Sequence, residues 1–230
     1  MGSRGAGVSA KQLIVVLIHD RPELAKKVIE AIRQHTTDSG RVVYALDAPT
    51  FDLSSMDLWH EEHVQSKENV GAAEMLNLAL RHFWEGEDLI RVDSDTRPLQ
   101  AGWNGALASI MHRRHLDVAS PVWPDGEPPT KSRVLCSGIL ATSGEMVAKL
   151  GAWHGYGTYA YEDLDWQRRA EYAGGKLGYV REVKVENLDP RGYVADWKQR
   201  AYRHQRKNWF EQASKYMLGK EIYQPLGDRS

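Results

Sequence analysis

One stretch predicts the architecture of this chain more strongly than any other: Asp88-Leu89-Ile90-Arg91-Val92, followed at once by Asp93-Ser94-Asp95. The first five residues are predicted as a strand, and the Asp-Ser-Asp that follows puts two carboxylates one residue apart where the chain turns. Asp-x-Asp alone is common in solvated turns. Its meaning here depends on the elements around it.

The elements before this stretch alternate between strand and helix. A continuous apolar run, Gln12–Ile18, predicts a buried parallel strand, and Arg41–Leu46 predicts a second strand. Apolar residues at helical spacing predict one helix up to about His35, with Asp20 as its N-cap, and another over Asn69–Trp84. This order predicts a parallel sheet with right-handed crossover connections.

An acidic residue follows each predicted strand of this half. Asp20 comes after the first strand and Asp47 after the second, and the Asp-Ser-Asp stretch follows the third. Functional groups in such sheets gather at the carboxyl ends of the strands. The pattern therefore predicts a site at this edge of the sheet.

The second half of the chain is less regular. Its pattern predicts helices over 101–112, 144–150 and about 164–173, strands over 134–141 and 176–185, a Pro-rich loop over 120–131, and a Gly- and aromatic-rich loop over 151–161. We expect a disordered lead-in over 1–10, one catalytic domain over 11–195 with halves 11–98 and 99–195, and a basic, aromatic helical tail over 196–230.

Composition limits the class of protein. The 230 residues are 42% hydrophobic and 27% charged, the balance of a soluble globular domain. Thirty Lys and Arg residues nearly cancel 31 Asp and Glu residues, so the net charge does not favour a whole-surface nucleic-acid binder. The single cysteine, Cys136, excludes an internal disulfide framework and a Cys-rich zinc site, and it suits a cytoplasmic location. No apolar run reaches the roughly 18 residues of a membrane span.

The carboxylates of Asp93 and Asp95 predict a divalent-metal site. Mg²⁺ or Mn²⁺ is commonly held by one or two carboxylates, with substrate phosphates completing the coordination shell. Such a cation neutralises the charge that develops on a departing diphosphate.

A second acidic pair, Glu162-Asp163, opens a predicted helix after the Gly-rich loop. Its simplest interpretation is a pair of N-terminal charges that meet the helix dipole. The functional interpretation gives one carboxylate the role of general base toward an acceptor hydroxyl. Only folding could bring this pair to the Asp-Ser-Asp stretch, and we expect the 151–161 loop to close there and exclude water.

Three other polar residues carry weaker signals. Asp47 could hydrogen-bond a base or ribose, or could start the turn before Ala48-Pro49. Asn69 could cap its helix, and Asn77 lies within that helix.

In order and spacing, these elements resemble family-2-like glycosyltransferases of the GT-A type. Such enzymes begin with an apolar strand, a polar-Arg-Pro segment and a helix, like Leu13–Ile32 here, and carry an Asp after the second strand, like Asp47. The other matching features are, in chain order, Asn69-Val70-Gly71 with Asn77, Leu89–Asp95, Gly102-Trp103, Ser137–Ala141, and Glu162-Asp163 with Asp165 and Arg168. The resemblance covers about residues 12 to 190.

The resemblance implies a Rossmann-like GT-A fold, the three-layer α/β/α sandwich of nucleotide-diphospho-sugar transferases with a mostly parallel central sheet. It implies transfer of a sugar from a nucleotide-sugar donor to an acceptor hydroxyl, with inversion. The implied roles are metal binding for Asp93 and Asp95, donor binding for Asp20, Asp47, Asn69, Asn77 and Ser94, base for Asp163, and acceptor hydroxyl binding for Glu162.

One position departs from the family pattern. Many relatives carry a metal-ligating His after the last strand, whereas this chain has no His over Val185–Asp189. Asn187 stands where the His would be, and Asp189 is a nearby oxygen donor. We expect either that these two residues complete the metal shell or that the cation is held more weakly.

The tail between Arg191 and Lys207 has six basic residues against one acidic residue, with aromatic residues between them. Its simplest interpretation is an amphipathic helix that packs its aromatic side on the domain. The alternatives are a face that meets a membrane or a polyanion, such as a nucleic acid that carries the acceptor, and a face that shapes the acceptor site.

Two other functions fit parts of the sequence. A sugar-phosphate nucleotidyltransferase normally has a Gly-rich, basic phosphate loop after the first strand, where this chain has His19-Asp20-Arg21-Pro22. A non-catalytic polyanion-binding module on a degenerate GT-A scaffold would account for the missing His, but not for two intact acidic pairs.

Overall fold

The central layer of the molecule is an eight-stranded sheet. The structure is a computed structural model that describes residues 11–19, 21–47, 56–128, 134–135, 138–155 and 161–189, together with 206, 209, 211 and 226. The strands are β1 (Gln12–Ile18), β2 (Gly40–Leu46), β3 (His63–Gln65), β4 (Asp88–Asp93), β5 (Thr96–Pro98), β6 (Val118–Val122), β7 (Ile139–Thr142) and β8 (Leu177–Asn187). The helices are α1 (Pro22–His35), α2 (Ala72–Phe83), α3 (Trp103–Arg113), α4 (Gly144–Leu150) and α5 (Glu162–Tyr172).

The sheet has a parallel half and a mixed half. Its strand order is β3-β2-β1-β4-β7-β6-β8-β5. The first four strands in this order are parallel to one another. In the other half, β7 is antiparallel to both β4 and β6, and β5 is antiparallel to β8, while β6 and β8 are parallel. The mostly parallel sheet is confirmed, and each of its antiparallel pairs includes a strand from the second half of the chain.

Helices cover both faces of the sheet, which confirms the three-layer α/β/α sandwich. Helices α1 and α3 pack against the face that carries Ile14 of β1. Helices α2, α4 and α5 pack against the opposite face, which carries Leu13. Because successive side chains of a strand point to opposite faces, a strand covered on both sides needs apolar residues at almost every position. This requirement explains why β1 is buried along its whole length.

Two predicted helix starts are wrong. The residue that precedes α1 is Arg21, in a left-handed conformation (φ 58°) and with no side-chain cap, so Asp20 is not the N-cap; Asp20 itself lies outside the described residues. Helix α2 begins at Ala72 after Gly71 (φ 87°), so Asn69 does not cap it. In both places the residue before the helix has a positive φ and makes no side-chain cap hydrogen bond.

Differences also occur among the strands. Residues 120–122, predicted as part of a Pro-rich loop, complete β6, and the pairing register with β8 shifts between Pro121 and Val122. Proline is tolerated at such an irregularity, where no regular ladder hydrogen bond is needed. Strand β7 is shorter than predicted, and the three-residue strands β3 and β5 were not predicted. Within the described part of the chain, no helix is long and apolar enough to cross a membrane.

Candidate active site

The Asp-Ser-Asp stretch forms the tight turn that links two strands of the sheet. Asp93 is the last residue of β4, and Ser94 and Asp95 make the turn into β5. The backbone N–H of Asp93 donates to the carbonyl of Gly138 (2.8 Å), and the carbonyl of Asp95 accepts the N–H of Leu188 (2.7 Å). The ends of three strands therefore fix the backbone of this turn.

Gly138 makes the close approach at this turn possible. It has φ +75°, and a Cβ atom added there would overlap the side chain of Thr96, the residue after Asp95. Glycine alone combines this backbone conformation with the absence of a side chain. A glycine is thus required at position 138, just before β7, where the chain meets the Asp-Ser-Asp turn.

A buried arginine lies beside Asp93. Arg91 is two residues earlier on β4 and therefore on the same face of the sheet, and its side chain is 8% exposed. Its Nη2 atom lies 2.9 Å from Oδ1 of Asp93 and 3.0 Å from Oε1 of Glu162. The fold thereby brings together the two acidic pairs that lie far apart in the sequence.

Glu162 and Asp163 are the first two residues of α5. They follow Tyr161, which has a left-handed conformation (φ 70°) unusual for a bulky residue. The Asp163 carboxylate accepts the N–H of Leu164 (2.8 Å). Burial raises the pKa of Glu162 to about 7, with Arg91 opposing the rise and Asp163 adding to it. Burial also raises the pKa of Asp163, again opposed by Arg91. Carboxyl groups with a pKa near neutrality are suited to proton transfer.

Trp153 forms a fixed wall of this cluster. The guanidinium carbon of Arg91 lies 5.6 Å from the centre of the Trp153 ring, a cation–π distance. The Asn77 side chain donates to the carbonyl of Trp153 (3.0 Å) and accepts its N–H (2.8 Å). On its other side, the Trp153 ring stacks on Trp166 with centroids 4.3 Å apart. Asn77, predicted to bind the donor, therefore holds this wall, and its contact with a donor stays a prediction.

The start of the predicted closing loop is rigidly held. Gly151, Ala152 and Trp153 are buried, and Arg169, itself fully buried, donates to the carbonyls of Leu150 (3.0 Å) and Ala152 (2.6 Å). These residues belong to the wall of the site rather than to a lid. The rest of the loop, 156–160, lies outside the described residues.

The Asp47 carboxylate lies just after the end of β2 and accepts hydrogen bonds from backbone N–H groups. Its two oxygens accept the N–H groups of Val70 (2.7 Å) and Gly71 (2.9 Å), and His19 Nδ1 lies 3.3 Å from Oδ2. Asp47 is buried, whereas Asn69 is exposed beside the segment that Asp47 holds. The donor roles predicted for Asp47 and Asn69 stay predictions.

The residues predicted to complete the metal shell make other contacts. The Asn187 side chain accepts the N–H of Asp189 (2.7 Å), and the Asp189 carboxylate forms an ion pair with Arg21. Within the described ranges, no three His, Cys, Asp or Glu side chains are grouped so that they could hold a metal ion. Metal binding by Asp93 and Asp95, and ligation by Asn187 or Asp189, stay predictions.

One described tail residue, Trp209, packs on the domain close to this site. Trp209 is 9% exposed, and its ring stacks on Tyr161 with centroids 5.5 Å apart and planes inclined by 16°. The carbonyl of Leu226 accepts a hydrogen bond from Arg81 of α2 (3.3 Å). Of the predicted basic surface, Arg206 is described and is exposed; the segment 191–205 lies outside the described residues.

Comparison with known proteins identifies the fold by structure rather than by sequence. No family model matches the chain, and no curated protein matches it in sequence. The mannosyltransferase PcManGT from Pyrobaculum calidifontis, solved with GDP-Man and Mn²⁺, matches with a TM-score of 0.69 at 16% identity, over 92% of this chain and 65% of that chain. S. aureus TarS 1–349 matches with a TM-score of 0.68 at 14% identity, over 92% and 66%. GalNAc-T7, solved with UDP, GalNAc and Mn²⁺, matches with a TM-score of 0.63 at 14% identity, over 91% and 50%.

These similarities show that the chain has the GT-A fold, as the resemblance in the sequence implied. The chain spans between half and about two thirds of the length of the three proteins it matches.

Proposed function

We propose that the chain is a metal-dependent glycosyltransferase that moves a sugar from a nucleotide-sugar donor to an acceptor hydroxyl. One observation carries the proposal. The carboxylates of Asp93 and Glu162, far apart in sequence, share the guanidinium of Arg91 at the carboxyl end of the central strand β4. In a GT-A fold this places an acidic turn and an acidic helix start at one edge of the sheet, where ligands bind in open α/β sheets.

The side chains at the turn fit a divalent cation. Asp93 and Asp95 offer hard oxygen ligands, and the Asp93 side chain is 35% exposed. Mg²⁺ and Mn²⁺ sites that bind diphosphates commonly use one or two carboxylates, so a third protein ligand is not required. PcManGT and GalNAc-T7 were both solved with Mn²⁺. When bound, the cation would stabilise negative charge on the leaving nucleoside diphosphate.

Asp163 is the proposed general base. Its carboxylate accepts the proton of the acceptor hydroxyl while that oxygen forms a bond to the anomeric carbon. The bond from the anomeric carbon to the nucleoside diphosphate breaks with both electrons going to the leaving group, through an oxocarbenium-like state. Attack from the face opposite the leaving group inverts the anomeric centre. Glu162, which accepts a hydrogen bond from Arg91 with Oε1, is the proposed contact for an acceptor hydroxyl.

On the donor side, Asp47 shapes the segment from Asn69 to Gly71, and Ser94 lies between the two carboxylates of the turn. We assign nucleotide contacts to five residues: Asp20, Asp47, Asn69, Asn77 and Ser94. The acceptor is a hydroxyl of a glycan or of a modified nucleic-acid base, with the basic tail as the surface for a nucleic acid. We place the enzyme in the cytoplasm, because its single cysteine suits a reducing compartment.

The test is thermal unfolding against a panel of nucleoside diphosphates and nucleotide-sugars, each with Mn²⁺ and with chelator. A ligand that binds only the folded state at a hundred times its Kd adds about 2.7 kcal/mol, which raises the Tm of a domain of this size by a few degrees. We expect a metal-dependent rise with one nucleotide that is lost in Asp93→Asn but kept in Asp125→Asn, a change at an exposed turn.

Two other results would replace the proposal. No rise with any donor, together with retention on a polyanion column, would indicate the non-catalytic binding module. Formation of a nucleotide-sugar from a sugar phosphate and a nucleoside triphosphate, with release of pyrophosphate, would indicate a nucleotidyltransferase.

A further inference from the structure

Arg91 occupies a position that the sheet otherwise fills with apolar side chains. On β4 it lies between Leu89 and Asp93 on the face covered by α2, α4 and α5. Its neighbours across the sheet are Val15 of β1 and Leu140 of β7, both buried and apolar. A buried charge in such a place is costly unless it is paired, so its presence calls for an explanation from its partners.

The partners of Arg91 are the proposed chemical groups of the site. It donates from Nε to Asp93 (3.1 Å) and from Nη2 to Glu162 (3.0 Å), and Asp163 follows Glu162 directly. Three carboxylates thus surround one guanidinium. Without this cation, the acidic turn and the start of α5 would repel each other in a poorly hydrated environment.

Arg91 also packs on an aromatic ring, a contact that depends on the planar shape of the guanidinium as well as on its charge. Its guanidinium carbon lies 5.6 Å from the centre of the Trp153 ring, and Trp153 is fixed by Asn77 and by its stack on Trp166. A planar guanidinium can donate to two carboxylates and pack on an indole at the same time, whereas an ammonium group cannot reproduce this fork. By fixing the plane of the guanidinium, Trp153 sets the direction of the hydrogen bonds from Arg91 to Asp93 and Glu162.

We propose that Arg91 is a positioning residue that holds Asp93 and Glu162 in one frame, and that its fixed positive charge weakens the affinity of the acidic turn for the divalent cation while keeping the turn in its productive geometry. This inference rests on the proposed function. If the cation is held weakly at the turn, this inference gives two causes. One is the missing His ligand, and the other is the Arg91 guanidinium, which competes with the cation for Asp93. Arg91 and the cation both stabilise Asp93, so each reduces the benefit of the other.

The test compares two substitutions with a surface control. Arg91→Met keeps the length of the side chain and removes the charge, and Arg91→Lys keeps the charge and removes the fork. Arg114→Met removes an exposed arginine that pairs with Glu182 on the surface. Mn²⁺ affinity is measured by calorimetry in the presence of UDP or GDP, whichever the panel above selects, and turnover is measured with the corresponding nucleotide-sugar.

Arg91→Met is expected to bind Mn²⁺ more tightly, on the order of tenfold, because a like charge close to the cation is gone. Its turnover is expected to fall at the same time, because Asp93 and Glu162 lose their common anchor. Arg91→Lys is expected to keep the wild-type Mn²⁺ affinity within about twofold and to lose kcat with little change in donor KM. The control is expected to match the wild type in both measurements.

A second measurement covers the case in which Arg91→Met unfolds too readily for titration. The stabilities of Arg91→Lys, Glu162→Gln and the double variant are compared in chelator; we expect the two changes in stability to be non-additive, since the residues share one interaction. Additive changes, or Mn²⁺ affinity in Arg91→Met that equals or falls below that of the wild type, would overturn the inference. Wild-type protein that binds no Mn²⁺ with any nucleotide would instead overturn the proposed function, and this inference with it.

Discussion

Two acidic sites lie at the carboxyl edge of the same sheet and differ in what satisfies them. At the end of β2, both oxygens of Asp47 accept backbone N–H groups of a neighbouring segment. At the end of β4, three carboxylates, Asp93, Glu162 and Asp163, surround the single guanidinium of Arg91. The first arrangement is complete within the protein. Among the described residues, the second has more negative charge than Arg91 neutralises, and this excess is what a cation or a proton from a substrate can use.

The contrast between these two sites gives a way to distinguish structural from functional acids at one edge of the sheet. A carboxylate with matched backbone donors contributes to stability, and its loss should be felt as unfolding. A carboxylate in a cluster with excess charge destabilises its surroundings, and its loss should be felt as lost chemistry. Substitutions in the two sites should therefore have opposite profiles.

The largest effect is expected for Asp163→Asn. An amide cannot accept the proton of the acceptor hydroxyl, so transfer should fall on the order of a thousandfold. Donor affinity and stability should stay near those of the wild type. Turnover assays and donor titration measure the two quantities, with Asp57→Asn, at an exposed position, as the control. Full activity in Asp163→Asn would remove this residue from the role of base.

Much of the fold could be predicted from the sequence, because apolar periodicity records the layers of the sandwich directly. The run Gln12–Ile18 is β1 without change of boundary, and Gly144–Leu150 is α4. Strand β6 was missed because Pro121 is a strong loop signal, and only its place beside a register shift makes it acceptable in a strand. Short strands such as Thr96–Pro98 depend on their partners and leave no periodic pattern.

The site could be predicted less completely, because the sequence shows residue types and not their partners. The two acidic pairs were recognised, but the contact between Asp93 and Glu162 passes through Arg91, which had been included only as part of a strand. An arginine inside an otherwise apolar strand was the available signal, since buried charges are rare unless they are paired. The roles of Asp47 and Asn77 in holding backbone segments could not be predicted, because their acceptors and donors are main-chain groups at distant positions.

The second-largest effect is expected on stability, at the Asp47 site at the end of β2. Asp47→Ala leaves the N–H groups of Val70 and Gly71 without their acceptors, so the free energy of unfolding should fall by about 3 kcal/mol. Asp47→Asn keeps one acceptor oxygen and should lose less. Chemical denaturation in chelator measures both. A loss of transfer in Asp47→Asn without a loss of stability would show that Asp47 acts on the donor directly rather than through the segment it holds.

A smaller effect on stability is expected from pH, through the acidic cluster around Arg91. The pKa of Glu162 is raised to about 7, so the native state binds this proton more tightly than the unfolded state does. Stability should therefore decrease as pH rises from about 5 to about 8, by about 2 kcal/mol from this residue. Glu162→Gln resembles the protonated form at every pH. It should match the wild type below pH 5 and be the more stable protein at pH 8.

This comparison uses denaturation curves at a series of pH values, in chelator so that no cation contributes. Parallel profiles for the wild type and Glu162→Gln would contradict the raised pKa. They would show that Arg91 alone neutralises the cluster, and the excess of negative charge would then have to be assigned to Asp93 or Asp163.

The smallest effect is expected at the border of the acidic cluster, where the tail contacts the domain. Trp209 stacks on Tyr161, whose left-handed backbone places Glu162 and Asp163 at the start of α5. An aromatic pair of this kind contributes about 1 kcal/mol beyond its buried area. Trp209→Ala should lower stability by about that amount or somewhat more and reduce kcat severalfold, whereas Trp209→Phe should retain most of both. Trp59→Ala, at a tryptophan that is 62% exposed, is the matched control and should change neither. If Trp209→Ala lowers stability and leaves kcat unchanged, the tail supports the domain without positioning the acidic pair, and the excess charge at β4 is organised by Arg91 and Trp153 alone.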